Sequence, residues 1–169
     1  MRNIYLCGFM GCGKSHIGRN LAKALGMTFT DLDGYIEKAE KMSIPDIFSS
    51  KGETHFRSLE AKYIAEMPEN SVVATGGGAI ITPSVAETAR KAGAVVFLDA
   101  DFSVCYGRIR GDTHRPLVVN NTEEQLKALY EKRRPIYKSN SNFSVSANGK
   151  DKAIVEEIIR ILRTDYVNI

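Results

Sequence analysis

Residues 8–15 read Gly8-Phe9-Met10-Gly11-Cys12-Gly13-Lys14-Ser15, with the spacing G-x-x-x-x-G-K-S. That spacing belongs to loops that wrap phosphate. Its glycines let the backbone bend sharply and approach a ligand closely. Successive N–H groups and the start of a following helix then face the phosphate charge. Lys14 is expected to reach the β- and γ-phosphates, and Ser15 to ligate Mg2+. The ligand implied is a nucleoside triphosphate, held by Gly11, Cys12, Gly13, Lys14, Ser15 and His16.

Carboxylates come next. Mg2+ takes one or two beside the phosphates, and two aspartates end apolar runs: Asp31 and Asp99. Their residue types do not choose between them. Ala100 follows Asp99 where a hydrolytic ATPase has a glutamate to handle water, so transfer to water is poorly served. Asp33 stands two residues beyond Asp31 and can take the proton of an attacking hydroxyl. Either aspartate could instead cap the next helix.

"FRSLE" puts Arg57 and Glu60 at i,i+3 on one helix face. A guanidinium held by a carboxylate can grip a substrate carboxylate with two hydrogen bonds. "TGGG" (75–78) offers bare backbone after an apolar run. Arg115, in a segment without periodicity, could fold over the phosphates, and Arg133 could supply a second cation for a carboxylate.

These residues need a scaffold. Apolar runs at 3–7, 27–31, 71–75, 94–99 and 142–147 read as strands. Helical periodicity fills the gaps, as in 14–25 with Ile17, Leu21 and Leu25, and in 153–162 with Ile154, Ile158 and Leu162. Alternation of this kind predicts a parallel α/β sheet covered on both faces. Ser43 reads as a helix N-cap with Pro45 in the first turn, and Gly26 and Gly52 as helix ends. Residues 110–122 read as a long loop, and Pro135 predicts a kink or break in its helix.

The 169 residues fit a single domain, 1–169. A net charge of +3 is too mild to argue for nucleic acid, and no apolar run approaches a membrane span. The N-terminus runs straight into the phosphate loop, so no targeting segment is expected. Three cysteines (Cys7, Cys12, Cys105) without a C-x-x-C pair suit a reducing cytoplasm. Cys12 has two readings: a thiolate favoured by the helix dipole and Lys14, or an inert side chain turned into the fold. No N-K-x-D guanine-reading motif occurs.

"GFMGCGKS", "DLD", "FRSLE", "TGGG", "RPL" and "EKRRPIY", in this order, resemble shikimate kinase over essentially the whole chain. The resemblance implies a three-layer α/β/α P-loop fold like that of nucleoside monophosphate kinases, with five parallel strands ordered 2-3-1-4-5. It implies ATP-dependent phosphorylation of the shikimate 3-hydroxyl on the route to chorismate and the aromatic amino acids. It makes Asp33, Lys14 and Arg115 catalytic, and assigns shikimate to Asp33, Arg57, Gly77, Gly78 and Arg133 within a helical region at 33–62. It favours Asp31 beside Ser15 for Mg2+, puts Arg108 rather than Arg110 on adenine, and closes the Asn148–Lys150 loop over the base, with Lys150 an ATP contact. Residues 110–122 become a lid, and a monomer is expected. Cys12, His16 and Arg134 depart from the usual pattern, and Arg134 raises the question of which arginine faces the substrate. A gluconate kinase of the same fold is the rival reading.

Overall fold

A computed structural model describes residues 2–113 and 115–165. Among these, β1 (Asn3–Cys7), β2 (Thr28–Asp31), β3 (Ser71–Ala74), β4 (Gly93–Asp99) and β5 (Phe143–Ser146) form one sheet. Its order is β2-β3-β1-β4-β5 and all pairs are parallel. Every residue of the central β1 is buried, as a strand covered on both faces requires. In register, Leu6 lies beside Ala74 and Val96, and Asp31 beside Ala74. The carboxyl ends of β1, β2, β3 and β4 therefore share one edge. "GFMGCGKS", "DLD", "TGGG" and Asp99 all stand at that edge, where open α/β sheets bind ligands.

α1 (Lys14–Leu25) starts directly from the phosphate loop and buries Ile17, Gly18, Leu21 and Ala22. Gly13 precedes it at φ 101° and Gly26 follows it at φ 67°, both in the region that disfavours a Cβ. α2 (Leu32–Glu40) begins at Asp31, whose Oδ1 accepts from the Gly34 N–H at 3.3 Å. α3 (Ile44–Ala65) begins at Ser43, whose Oγ accepts from the Asp46 N–H at 3.3 Å. Gly52 (φ 82°, ψ 168°) departs from helical geometry inside α3 and divides it into two arms. The helix end expected there is this break.

α4 (Pro83–Ala92) and α5 (Phe102–Ile109) follow β3 and β4. The expected loop at 110–122 contains a short helix, α6 (Pro116–Val119), which Pro116 can open because its missing N–H costs nothing in a first turn. Residue 114 of that loop lies outside the described residues. α7 (Glu123–Asn140) starts with a capping box between Thr122 and Gln125. It continues through Pro135, so of the expected kink or break, the break does not occur. An interior proline costs roughly 3 kcal/mol in an isolated helix. Here α7 is tied down on both sides of it: Tyr130 Oη donates to Ala100 O at 2.9 Å, Tyr137 Oη to Gly77 O, and Asn140 Nδ2 to Ile80 O at 2.8 Å. α8 (Asp151–Asp165) closes the fold and packs on α1, while α3 packs on α4. No helix among the described residues is long and apolar enough to cross a membrane.

Candidate active site

A cavity of about 390 Å3 opens at the carboxyl edge of the sheet. Of the residues singled out in the sequence, Gly11, Gly13, Lys14, Ser15, His16, Asp31, Asp33, Gly77, Arg108 and Arg115 line it. Lys14 Nζ donates to Gly8 O at 2.8 Å and Phe9 O at 3.2 Å, which holds the ammonium inside the loop's curl. Ser15 Oγ donates to Asp31 Oδ2 at 3.1 Å. That hydroxyl and carboxylate form a hard oxygen pair on the phosphate side of the cavity, the donor set Mg2+ takes while keeping water and phosphate ligands. Asp31 both caps α2 and meets Ser15, so capping the helix does not take it away from the cavity. Asp99 is engaged elsewhere: Arg134 Nε and Nη2 donate to its two oxygens at 2.8 Å each.

Beyond Asp31 the cavity is lined by Asp33, Thr75, Gly76 and Gly77. Burial raises the Asp33 carboxyl above its ordinary range, helped by Asp31 and opposed by Lys14. Its Oδ1 has no partner, and neither does Oε1 of Glu60, whose side chain is wholly buried. Both oxygens converge on Gly76: a Cβ there would lie 2.7 Å from Asp33 Oδ1 and 3.2 Å from Glu60 Oε1. Glu60 Oε2 accepts from Arg57 Nη1 at 2.6 Å, and Glu53 Oε1 accepts from Arg57 Nη2 at 3.1 Å. Burial pushes Glu60 up to about 7 against the pull of Arg57. The pair is thus no surface salt bridge; it fixes a half-buried guanidinium from below.

The three glycines of "TGGG" supply room. None of them has positive φ. Gly78 lies under Arg57, where a Cβ would come within 2.3 Å of Nη2. Gly77 lies near Arg133 Nη1 and Tyr137 Oη, at 3.8 and 3.9 Å from a built Cβ. Arg57 and Arg133 therefore approach the same loop from α3 and α7. Gly78, Arg57 and Arg133 do not line the cavity; Gly78 lies against Arg57, and Arg133 reaches the loop at Gly77, which does line it.

On the other side of the phosphate loop lies a cavity of about 370 Å3, bordered by Gly13, His16, Arg108, Ala147 and Asp151. Arg108 Nη1 donates to Gly11 O at 3.0 Å, which sets its guanidinium between the two cavities, whereas Arg110 lines neither. One expectation changes here. Lys150 is exposed and lines neither cavity; its carbonyl starts α8 by accepting from the Ile154 N–H, and Asp151 takes the place beside the cavity. Cys12 is buried, at 1% exposure, because the loop curls its side chain toward Gly8 and the core. It still borders this second cavity, its N–H donates to Phe9 O at 3.1 Å, and its burial fits the reading in which the side chain turns into the fold. His16 Nε2 lies 2.6 Å from Asp151 Oδ2, joining the starts of α1 and α8.

The shikimate kinase family model matches residues 10–163. The chain belongs to the shikimate kinase family. A shikimate kinase from Persephonella marina is 43% identical over 166 residues, 96% of this chain and 100% of that protein. A solved shikimate kinase from Acinetobacter baumannii, in complex with shikimate, superposes with a TM-score of 0.87 at 34% identity, covering 98% of this chain and 94% of that one. A gluconokinase from Sinorhizobium meliloti superposes with a TM-score of 0.60 at 20% identity, covering 98% and 96%, and shares the fold alone. Shikimate kinases transfer a phosphoryl group from ATP to a hydroxyl of shikimate, and this chain is a kinase of that family.

Sequence reasoning missed Tyr137 and Asp151. Tyr137 had a signal: it lies four residues beyond Arg133, on the same helix face. Asp151 had none, since its role depends on how the start of α8 meets α1.

Proposed function

We infer that the chain transfers the γ-phosphoryl group of ATP to the 3-hydroxyl of shikimate, with the residues named above as its machinery. The observation that carries this reading is Arg57, seated on Gly78, paired with the buried Glu60 and adjoining the Asp33 side of the cavity. A planar cation so fixed suits a carboxylate, and a carboxylate beside it suits a hydroxyl. Arg57 and Arg133 then hold the acid group of shikimate, with Gly77 and Gly78 as the surface between them. That orients a ring hydroxyl toward Asp33 and the γ-phosphorus.

The hydroxyl oxygen attacks phosphorus as the bond to the β-γ bridging oxygen breaks, and Asp33 takes the hydroxyl proton. Burial raises the basicity of Asp33, which brings it nearer the working pH. Lys14 and Arg115 meet the charge spread over the phosphoryl oxygens. Mg2+, held by Ser15 with Asp31, supplies neutralisation of the β- and γ-phosphates when bound. Arg108 borders the base, with Gly11, Gly13 and His16.

We read 1–169 as one kinase domain with a lid at 110–122 and an acceptor region at 33–62. Arg115 faces the cavity while paired with Asp112 at 2.9 Å. α6 beside it leaves Leu117 and Val119 exposed, apolar surface that closure would cover. The free cysteines suit a reducing cytoplasm, and we read the chain as a monomer.

Arg57→Lys and Arg133→Lys test the reading, because lysine keeps charge but loses the fork. Both raise KM for shikimate far more than KM for ATP. Equal effects on the two substrates would contradict it.

A further inference from the structure

Two adjacent arginines on α7 do different things. Arg133 approaches Gly77, whereas Arg134 turns about 100° around the helix and forks onto Asp99, with both N···O distances 2.8 Å. Asp99 is a firm anchor. It ends β4, pairs in register with Ser146, and its carbonyl accepts from the Ala147 N–H at 2.9 Å. Arg134 also belongs to a stripe. Tyr130, Arg134 and Tyr137 follow i, i+4, i+7, and all three bond to the carboxyl edge of the sheet, at Ala100, Asp99 and Gly77. Pro135 follows directly and removes the N–H that would bond Glu131 O. The helix is therefore weakest in its own hydrogen bonds where Arg133 must be aimed.

We propose that the Arg134–Asp99 fork is a positioning device that sets the rotation of α7 at Pro135 and so aims Arg133 at the carboxylate of the acceptor. This rests on the reading that Arg133 grips that carboxylate. The fork has a second effect: it neutralises Arg134, so one arginine of the adjacent pair is left for the substrate. Neither arginine lines the two cavities; what separates them is that Arg133 Nη1 adjoins Gly77, whereas the Arg134 guanidinium is engaged by Asp99, so the influence of Arg134 runs through the helix.

The experiment compares Arg134→Met, Asp99→Asn, the double variant and Arg133→Lys, with shikimate and ATP varied separately and melting temperature recorded. Misplacement by about 1 Å costs on the order of a hundredfold. A partial rotation is expected to raise KM for shikimate roughly tenfold in Arg134→Met. KM for ATP and kcat stay within about twofold of wild type, the pattern of lost ground-state binding. Asp99→Asn moves the same constant in the same direction, and the double variant is no worse than Arg134→Met. Wild-type KM for shikimate in both single variants overturns the proposal, as does an additive double variant, or a lowered melting temperature with KM unchanged. If Arg134→Met fails to fold, the isosteric Asp99→Asn carries the test. Arg133→Lys separates the two layers. Unchanged KM for shikimate there refutes the role of Arg133 and the proposal with it, whereas a raised KM there beside normal Arg134 and Asp99 variants refutes the fork alone.

Discussion

Adding one methyl group at Gly78 should damage acceptor binding through Arg57. A Cβ built there lies 2.3 Å from Nη2, 2.7 Å from Cζ and 2.8 Å from Nη1 of Arg57. Ordinary contact begins near 3.5 Å, so the guanidinium must retreat by about 1 Å. It is not free to swing, because Glu60 Oε2 holds Nη1 at 2.6 Å and Glu53 holds Nη2 at 3.1 Å. A retreat of that size should cost between tenfold and about a hundredfold in kcat/KM for shikimate, or about 1.4–2.8 kcal/mol. Full loss of the Arg57–Glu60 pair would ordinarily cost about 3–5 kcal/mol in stability. Glu60 escapes part of that penalty by taking a proton, since its carboxyl already stands at about 7. The assay is ADP release at saturating ATP with shikimate varied, run on wild type, Gly78→Ala, Arg57→Ala and the double variant. Gly78→Ala should cost little once Arg57 is gone. A wild-type KM for shikimate in Gly78→Ala, or an undiminished loss in the Arg57→Ala background, would refute the reasoning.

Asp33→Asn should lower kcat by roughly a hundredfold or more while MgATP binding, followed by calorimetry, changes little; near-normal turnover would remove Asp33 as the base. Glu60 has a folded value raised from 4.5 to about 7, so its contribution to stability is full below pH about 4.5 and is lost as pH rises through about 7. Glu60→Gln should therefore gain stability relative to wild type between pH 5 and pH 8, by on the order of 3 kcal/mol at most, read from urea unfolding of both proteins. Parallel curves for the two proteins would contradict this. Cys7, Cys12 and Cys105 are all buried, so iodoacetamide at neutral pH should label none of them at the rate seen in denatured protein; rapid labelling of Cys12 with loss of activity would restore the thiolate reading.

The sheet and its edge were legible because parallel strands are written as apolar runs and the phosphate loop as glycines with a fixed spacing. Residue types also singled out Lys14, Ser15 and Asp33, which the fold brings to one cavity. Rotations and depths were not legible. Asp31 and Asp99 both end strands, and only the folded contacts separate them: Asp31 meets Ser15 at the cavity, whereas Arg134 forks onto Asp99. Arg57–Glu60 reads as an ordinary i,i+3 pair until the burial of Glu60 is known. Pro135 misled because local propensity counts the missing hydrogen bond but not the side chains that hold α7 to the sheet. Cys12 stayed open between two readings because the direction of a loop side chain depends on the curl of the loop, and its burial favours the inward one. The glycines of "TGGG" read as bare backbone open to close approach, and the groups that approach them closely, Asp33, Glu60 and Arg57, are set by the fold.

The most direct test is ATP turnover by the purified wild-type chain with shikimate or D-gluconate as acceptor, following ADP release and the phosphorus spectrum of the product. The account predicts ADP release that depends on shikimate, one phosphate ester at the 3-hydroxyl for each ADP formed, and negligible turnover with gluconate. ADP release independent of shikimate, or preference for gluconate, would contradict it.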